Sequence, residues 1–193
     1  MDIEKKESIL AAACKTFARF GFKKTAIDEI ATAAGVAKGT VYLCCKSKED
    51  LFFQSVNREI RAWIAEIAKQ IDPRMHADEL LTHCALASLY SLEKRPLVRD
   101  LLLGAHDLYL PDWTEQLDEL REVGRTVILE ILRIGVKQKR FRDDLDLEEV
   151  AKIIQDVELT TYIFHNRGNK REARLQARLL VATTMLMEGL RKR

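Results

Sequence analysis

Residues 25–51 read TAIDEIATAAGVAKGTVYLCCKSKEDL. Ile27, Ile30, Ala31 and Ala34 recur at steps of three and four, which places them on one face of a short helix. Thr25 offers an N-cap for that helix, with Asp28 three residues on as a variant capping box. Gly35 ends it, because a tight interhelical turn needs a left-handed residue and glycine adopts that conformation without a Cβ clash. Val36 is placed to plug the angle between this helix and the next, which runs from about Lys38 to Cys44. Two short helices joined by Ala-Gly-Val make a helix-turn-helix, whose second helix enters the major groove of DNA. Val41 and Cys45, four apart, are expected to face inward. Lys38 supplies charge, Gly39 lets backbone approach closely, Thr40 offers a hydroxyl and a methyl, and Tyr42 an amphipathic ring.

The same helical period extends in both directions. Upstream, Ile9, Leu10, Ala13, Phe17 and Phe20 form one apolar stripe that Gly21 ends. Downstream, Ser47 caps a fourth helix with Glu49 and Asp50 in its first turn. That helix carries Leu51, Val56, Ile60, Trp63, Ile64 and Ile67 toward Asp72-Pro73. Further helices are expected over roughly residues 77–92, from Pro96, and from Pro111-Asp112 through Ile134. Gly168 separates the last two, which hold Val150, Ile153, Ile154, Val157, Thr161 and Phe164, then Leu175, Leu179, Ala182, Leu186 and Gly189. Strand-like alternation is absent, and 8 glycines and 3 prolines in 193 residues are too few for the turns of a sandwich or barrel. The expected fold is all-α: a three-helix N-terminal helix-turn-helix domain over residues 1–47, and a larger helical bundle over residues 48–193, about nine helices in all.

Charge locates function within this plan. The net formal charge is only +2, which by itself says nothing of nucleic acid. From Lys15 to Lys48, however, seven basic residues (Lys15, Arg19, Lys23, Lys24, Lys38, Lys46, Lys48) face two acidic ones (Asp28, Glu29), a net of +5. Residues 51–193 hold 23 basic and 23 acidic residues. The basic character is confined to the helix-turn-helix and its flanks, where phosphates would need it.

The run ILAAACKTFARFGFKKTAIDEIATAAGVAKGTVY followed by KSKEDLF resembles the tetracycline-repressor (TetR) family of transcriptional regulators. The matching features are Phe17 with Gly21-Phe22, the Thr that opens the second helix, Ala-Gly-Val, the Lys-Gly-Thr-aliphatic-Tyr recognition helix, and Ser-Lys-Glu. The resemblance implies that Thr25 contacts a phosphate, that Lys38, Gly39, Thr40 and Tyr42 face the DNA, and that Lys48 pins a phosphate from the start of the fourth helix. It implies a homodimer that represses transcription from a palindromic operator, with two recognition helices about 34–36 Å apart, and release by a small, mostly apolar effector. Leu43, Cys44 and Cys45 depart from the family's aromatic run at this point, Cys45 standing where a buried Phe is usual.

Large amphipathic side chains suit an effector cavity that is mostly apolar with a few polar anchors. The candidates are Trp63, His106, Tyr109 and Trp113, within a wider set that includes His83, Tyr90, Tyr162, Phe164 and His165. The last two helices are expected to build the dimer interface through Ile153, Val157, Leu179, Ala182 and Leu186. Other readings are a helical protein-interaction module and a thiol-sensing regulator, the latter resting on Lys46 and Lys48 lowering the pKa of Cys44 or Cys45. A disulfide between these adjacent residues would break the helix. No enzyme is expected, because the sequence has no nucleophile–base set, phosphate loop or Glu-x-x-His pairs. No metal site is expected either, because Cys14, Cys44, Cys45 and Cys84 match no zinc spacing, and no cofactor. The N-terminal MDIEKKESIL has no apolar signal segment, and no apolar run is long enough to span a membrane, so a cytoplasmic protein with free thiols is expected.

Overall fold

The structure, a computed structural model, describes residues 2–103, 114–167 and 172–192. Among them the fold is all-α, with nine helices: α1 Ile3–Lys24, α2 Ile27–Ala34, α3 Lys38–Tyr42, α4 Lys48–Ala68, α5 Ala77–Glu93, α6 Pro96–Leu102, α7 Thr114–Lys137, α8 Leu147–Arg167 and α9 Glu172–Leu190. The chain divides into two compact units, Met1–Ala62 with Arg95–Asp118, and Trp63–Lys94 with Glu119–Arg193. That division falls inside the continuous helix α4 and assigns α6 to the first unit, whereas the boundary expected from sequence lies at the start of α4.

In the first unit, α1 starts at Asp2, whose carboxylate accepts from the Glu4 N–H, and buries Ile9, Leu10, Ala13 and Phe17. Gly21 (φ 75°, ψ 170°) kinks the helix at the position where the sequence expects it to end. Only glycine adopts such angles readily. The kink turns Phe22 inward, and its ring lies 6.0 Å from Phe17 and 5.3 Å from Phe52 of α4. Phe17 and Phe52 meet edge-on at 4.9 Å. This aromatic cluster sets where α4 begins relative to α1, with Cys14 Sγ adding a bond to the Ser55 carbonyl at 3.3 Å.

α2 closes on Gly35 in the left-handed region (φ 68°, ψ 33°). The N–H groups of Gly35 and Val36 bond the Thr32 and Ala31 carbonyls at 3.1 and 3.0 Å, a Schellman closure that satisfies the helix end. The N-cap expected at Thr25 moves by one residue. Ala26 occupies that position, and its N–H donates to the Glu29 carboxylate at 2.9 Å, so Glu29 and not Asp28 completes the box. Thr25 is unavailable for capping because it is buried and its hydroxyl donates to the Gly21 carbonyl at 2.8 Å. Ser47 does cap α4, accepting from the Asp50 N–H at 3.1 Å.

In the second unit, α9 packs against α5 and α8. The inward stripe of α8 holds Ala151, Ile154, Gln155 and Tyr162, and that of α9 holds Leu175, Leu179, Thr183, Met187 and Leu190. After α7 the chain turns back so that the Phe141 ring covers Gly135; a Cβ there would lie 2.0 Å from the Phe141 Cδ2. An isolated antiparallel bridge, Phe141 to Arg191, ties this turn to the end of α9. Arg140 makes a paired bond to Asp78 at 2.9 and 2.8 Å beside it.

Candidate nucleic-acid interface

The recognition helix sorts its side chains as the sequence predicts. Val41 and Cys45 are buried, and the Cys45 thiol donates to the Val41 carbonyl at 3.3 Å. Lys38, Gly39 and Tyr42 are exposed, and Thr40 is half-buried. A Cβ added at Gly39 would meet nothing within 4 Å, so the helix presents bare backbone to its surroundings there. Leu43 is 76% exposed directly beyond Tyr42. Its exposure extends the apolar end of this face, which suits contact with a thymine methyl.

Two lysines are held in place. Lys38 Nζ pairs with Asp28 Oδ2 at 2.9 Å, and both side chains are more than half exposed. The carboxylate raises the Lys38 pKa, by its hydrogen bond first and its charge second. Lys48 Nζ lies 4.6 Å from the Phe22 ring centroid and donates to the Lys23 carbonyl at 3.3 Å, in the first turn of α4. Thr25 is the member of the expected set whose side chain is turned inward.

The thiols run opposite to a redox sensor. Cys44 is raised above its ordinary pKa and Cys45 is pushed up to about 11, each chiefly by burial. Neither is lowered by Lys46 or Lys48. A thiolate is the reactive form, so these positions are disfavoured for thiol chemistry.

In the second unit Trp63 is buried and its indole N–H donates to the Ser88 carbonyl at 3.2 Å, so its polar end is already engaged. His106, Tyr109 and Trp113 lie outside the described residues. Two polar groups on α8 lie on positions that apolar periodicity does not mark. Gln155 is buried against Gly124, and its Nε2 donates to the Arg121 carbonyl at 2.9 Å. Burial pushes the Glu158 carboxyl up to about 7. Of the expected interface set, Ile153 is exposed, and Val157, Ala182 and Leu186 are half-buried. Leu179, at 2% exposure, is buried within its own chain on the inward stripe of α9. The apolar side chains that α9 leaves outward are Leu180, Val181 and Met185. Among the described residues no helix is long and apolar enough to cross a membrane.

An N-terminal helix-turn-helix with an exposed polar recognition face, followed by an all-helical body, defines a class: the helix-turn-helix transcriptional regulators. Residues 9–54 match the family described as bacterial regulatory proteins, tetR family. The HTH-type transcriptional repressor KstR2 of Mycolicibacterium smegmatis is 30% identical over 164 residues, 82% of this chain and 77% of that one. The fatty acid metabolism regulator protein of Bacillus subtilis is 25% identical over 166 residues, 82% of this chain and 84% of its own. The crystal structure of the regulator FadR from Bacillus subtilis in complex with stearoyl-CoA has the same fold. Its TM-score is 0.76 at 20% identity, over 95% of this chain and 98% of that one. The chain belongs to the tetR family of bacterial transcriptional regulators. Members of this family act by binding DNA and are not enzymes.

Proposed function

We propose that this protein is a cytoplasmic, ligand-responsive repressor that binds a palindromic operator as a homodimer and is released by a small, largely apolar effector. The observation that carries the reading is the recognition helix: Val41 and Cys45 are buried while Lys38, Gly39 and Tyr42 stand exposed, with open space over Gly39. Lys38, Thr40 and Tyr42 read base edges, Gly39 allows close approach, and Lys48 pins a phosphate at the start of α4. Thr25, proposed as a phosphate contact at the front of α2, has its hydroxyl turned to the Gly21 carbonyl. Residues 1–47 form the DNA-reading part, and residues 48–193 bind effector and the second copy.

The effector class that the relatives favour is a long-chain acyl thioester, because the FadR structure that shares this fold was solved with stearoyl-CoA. Among the described residues, Trp63 is the proposed effector contact. Helix α4, from Lys48 to Ala68, is the proposed link by which effector binding alters the DNA-reading part. The outward apolar side chains Ile153, Val181 and Met185 are the proposed dimer contacts, with Val157, Ala182 and Leu186 beside them.

The test is selection of bound DNA from a random pool, followed by titration of the selected complex with palmitoyl-CoA, palmitate and coenzyme A. Enrichment of a palindrome, with release by the acyl thioester alone, is the expected result. No enriched sequence would make the chain a helical interaction module instead; release by none of the three would remove the acyl effector.

A further inference from the structure

The ion pair between Lys38 and Asp28 has no evident structural purpose. It joins α3 to α2 across ten residues at 2.9 Å, on side chains that are 53% and 65% exposed. Exposed pairs of this kind contribute at most about 1 kcal/mol to folding. The two helices are already fixed by the Gly35 closure and the buried Val41. Lysine is moreover a poor choice at the start of a helix, where the dipole presents positive charge. Helix α3 has no acidic residue in its first turn and no side-chain cap. The carboxylate that offsets this charge comes from α2.

We infer that Asp28 is a positioning residue for DNA reading, holding the Lys38 ammonium over the groove face so that it meets a base edge and not a phosphate. The inference rests on the proposed placement of α3 in the major groove. A lysine stem has four rotatable bonds, and a free ammonium beside DNA moves to the nearest phosphate, a contact that positions the protein but carries no sequence information. A carboxylate within hydrogen-bond distance restrains that swing and repels any phosphate that comes close. The restrained ammonium keeps two further N–H donors for the O6 and N7 acceptors of guanine. The neighbouring acid, Glu29, is occupied at the Ala26 N–H, so Asp28 is the carboxylate that performs this restraint. Gly39 leaves the space beside the pair open.

The experiment uses the full-length protein and DNA selected by the wild type from a random pool. Wild type, Asp28→Asn, Lys38→Met and the double variant are compared by salt titration and by binding to operators carrying each base pair at each position. Asp28→Asn is expected to steepen the salt dependence by about one unit per bound copy, since a released lysine adds a phosphate contact. It is also expected to lower discrimination at one base pair of each half-site by roughly tenfold. Lys38→Met should lose the same discrimination without steepening the slope, and the double variant should match Lys38→Met. If Asp28→Asn alters neither slope nor base preference, the role is overturned. It is equally overturned if the Asp28→Asn effect persists at full size in the Lys38→Met background, which would mean that Asp28 acts through its own charge. A wild type that enriches no sequence would remove the placement of α3 on DNA and this role with it. Enrichment by the wild type together with an unaltered Asp28→Asn profile would remove the role alone.

Discussion

The Lys48 ammonium sits 4.6 Å above the centre of the Phe22 ring. This relationship exists because Gly21 kinks α1 and turns Phe22 under the first turn of α4, where Phe17 and Phe52 hold the ring. The charge is held by the ring and the Lys23 carbonyl, at the helix end whose dipole favours an anion. Lys48→Ala is therefore expected to weaken binding to every DNA sequence alike and to flatten the salt dependence by about one unit. Phe22→Leu should weaken it less, because the charge remains but its perch is lost. Salt titrations on selected and random DNA check both; an unchanged slope in Lys48→Ala would remove the phosphate contact.

Gly39 separates folding from binding. Its Cβ would enter open space and its backbone is helical, so Gly39→Ala should leave thermal stability equal or slightly raised, by about 0.5–1 kcal/mol. If backbone approaches DNA here, the same methyl lowers operator affinity. Thermal melting and operator titration of the variant provide the two readings. Unaltered affinity would show that DNA stays clear of this position.

The two sides of α9 should respond differently to substitution. Met185→Asp or Val181→Asp places charge on an outward apolar side chain and is expected to yield a folded monomer with weak operator binding. Leu179→Ala instead opens a cavity inside each chain and should cost about 2–5 kcal/mol. Light scattering after size exclusion separates the first effect, and chemical denaturation the second. Unchanged assembly in both outward variants would move the interface elsewhere.

Glu158 predicts a pH dependence. Its folded-state value of about 7 lies above the ordinary 4.5 because burial disfavours the charge. The folded protein thus binds more protons than the unfolded chain between these values, so stability falls as pH rises from about 5 to 7 and stays low above. Glu158→Gln removes the ionisation. It should raise stability by about 1–3 kcal/mol at pH 8 and by little at pH 5, as measured by denaturation at the two pH values.

Much of this was legible in one dimension. The helix-turn-helix follows from local rules: apolar residues three and four apart, a glycine where the backbone must turn left-handed, and a serine before two acids at the start of α4. The sorting of Val41 and Cys45 from Lys38 and Tyr42 needed only the period of a single helix. The N-cap of α2 is not legible in sequence because Thr25 and Ala26 compete for it, and a carbonyl four residues upstream of Thr25 decides between them.

The sequence by itself determined an all-helical chain with a basic reading head of net charge +5 over residues 15–48, since periodicity, turn residues and charge are all properties of contiguous segments. Only the tertiary structure decided which lysine is paired with Asp28, which rests on Phe22, and which side of α9 its apolar residues face. The physical reason is the same in each case. A lysine's partner lies ten or more residues away, and α9 is apolar on more than one face. Only packing against α5 and α8 selects Leu179 for the core and leaves Val181 and Met185 outside.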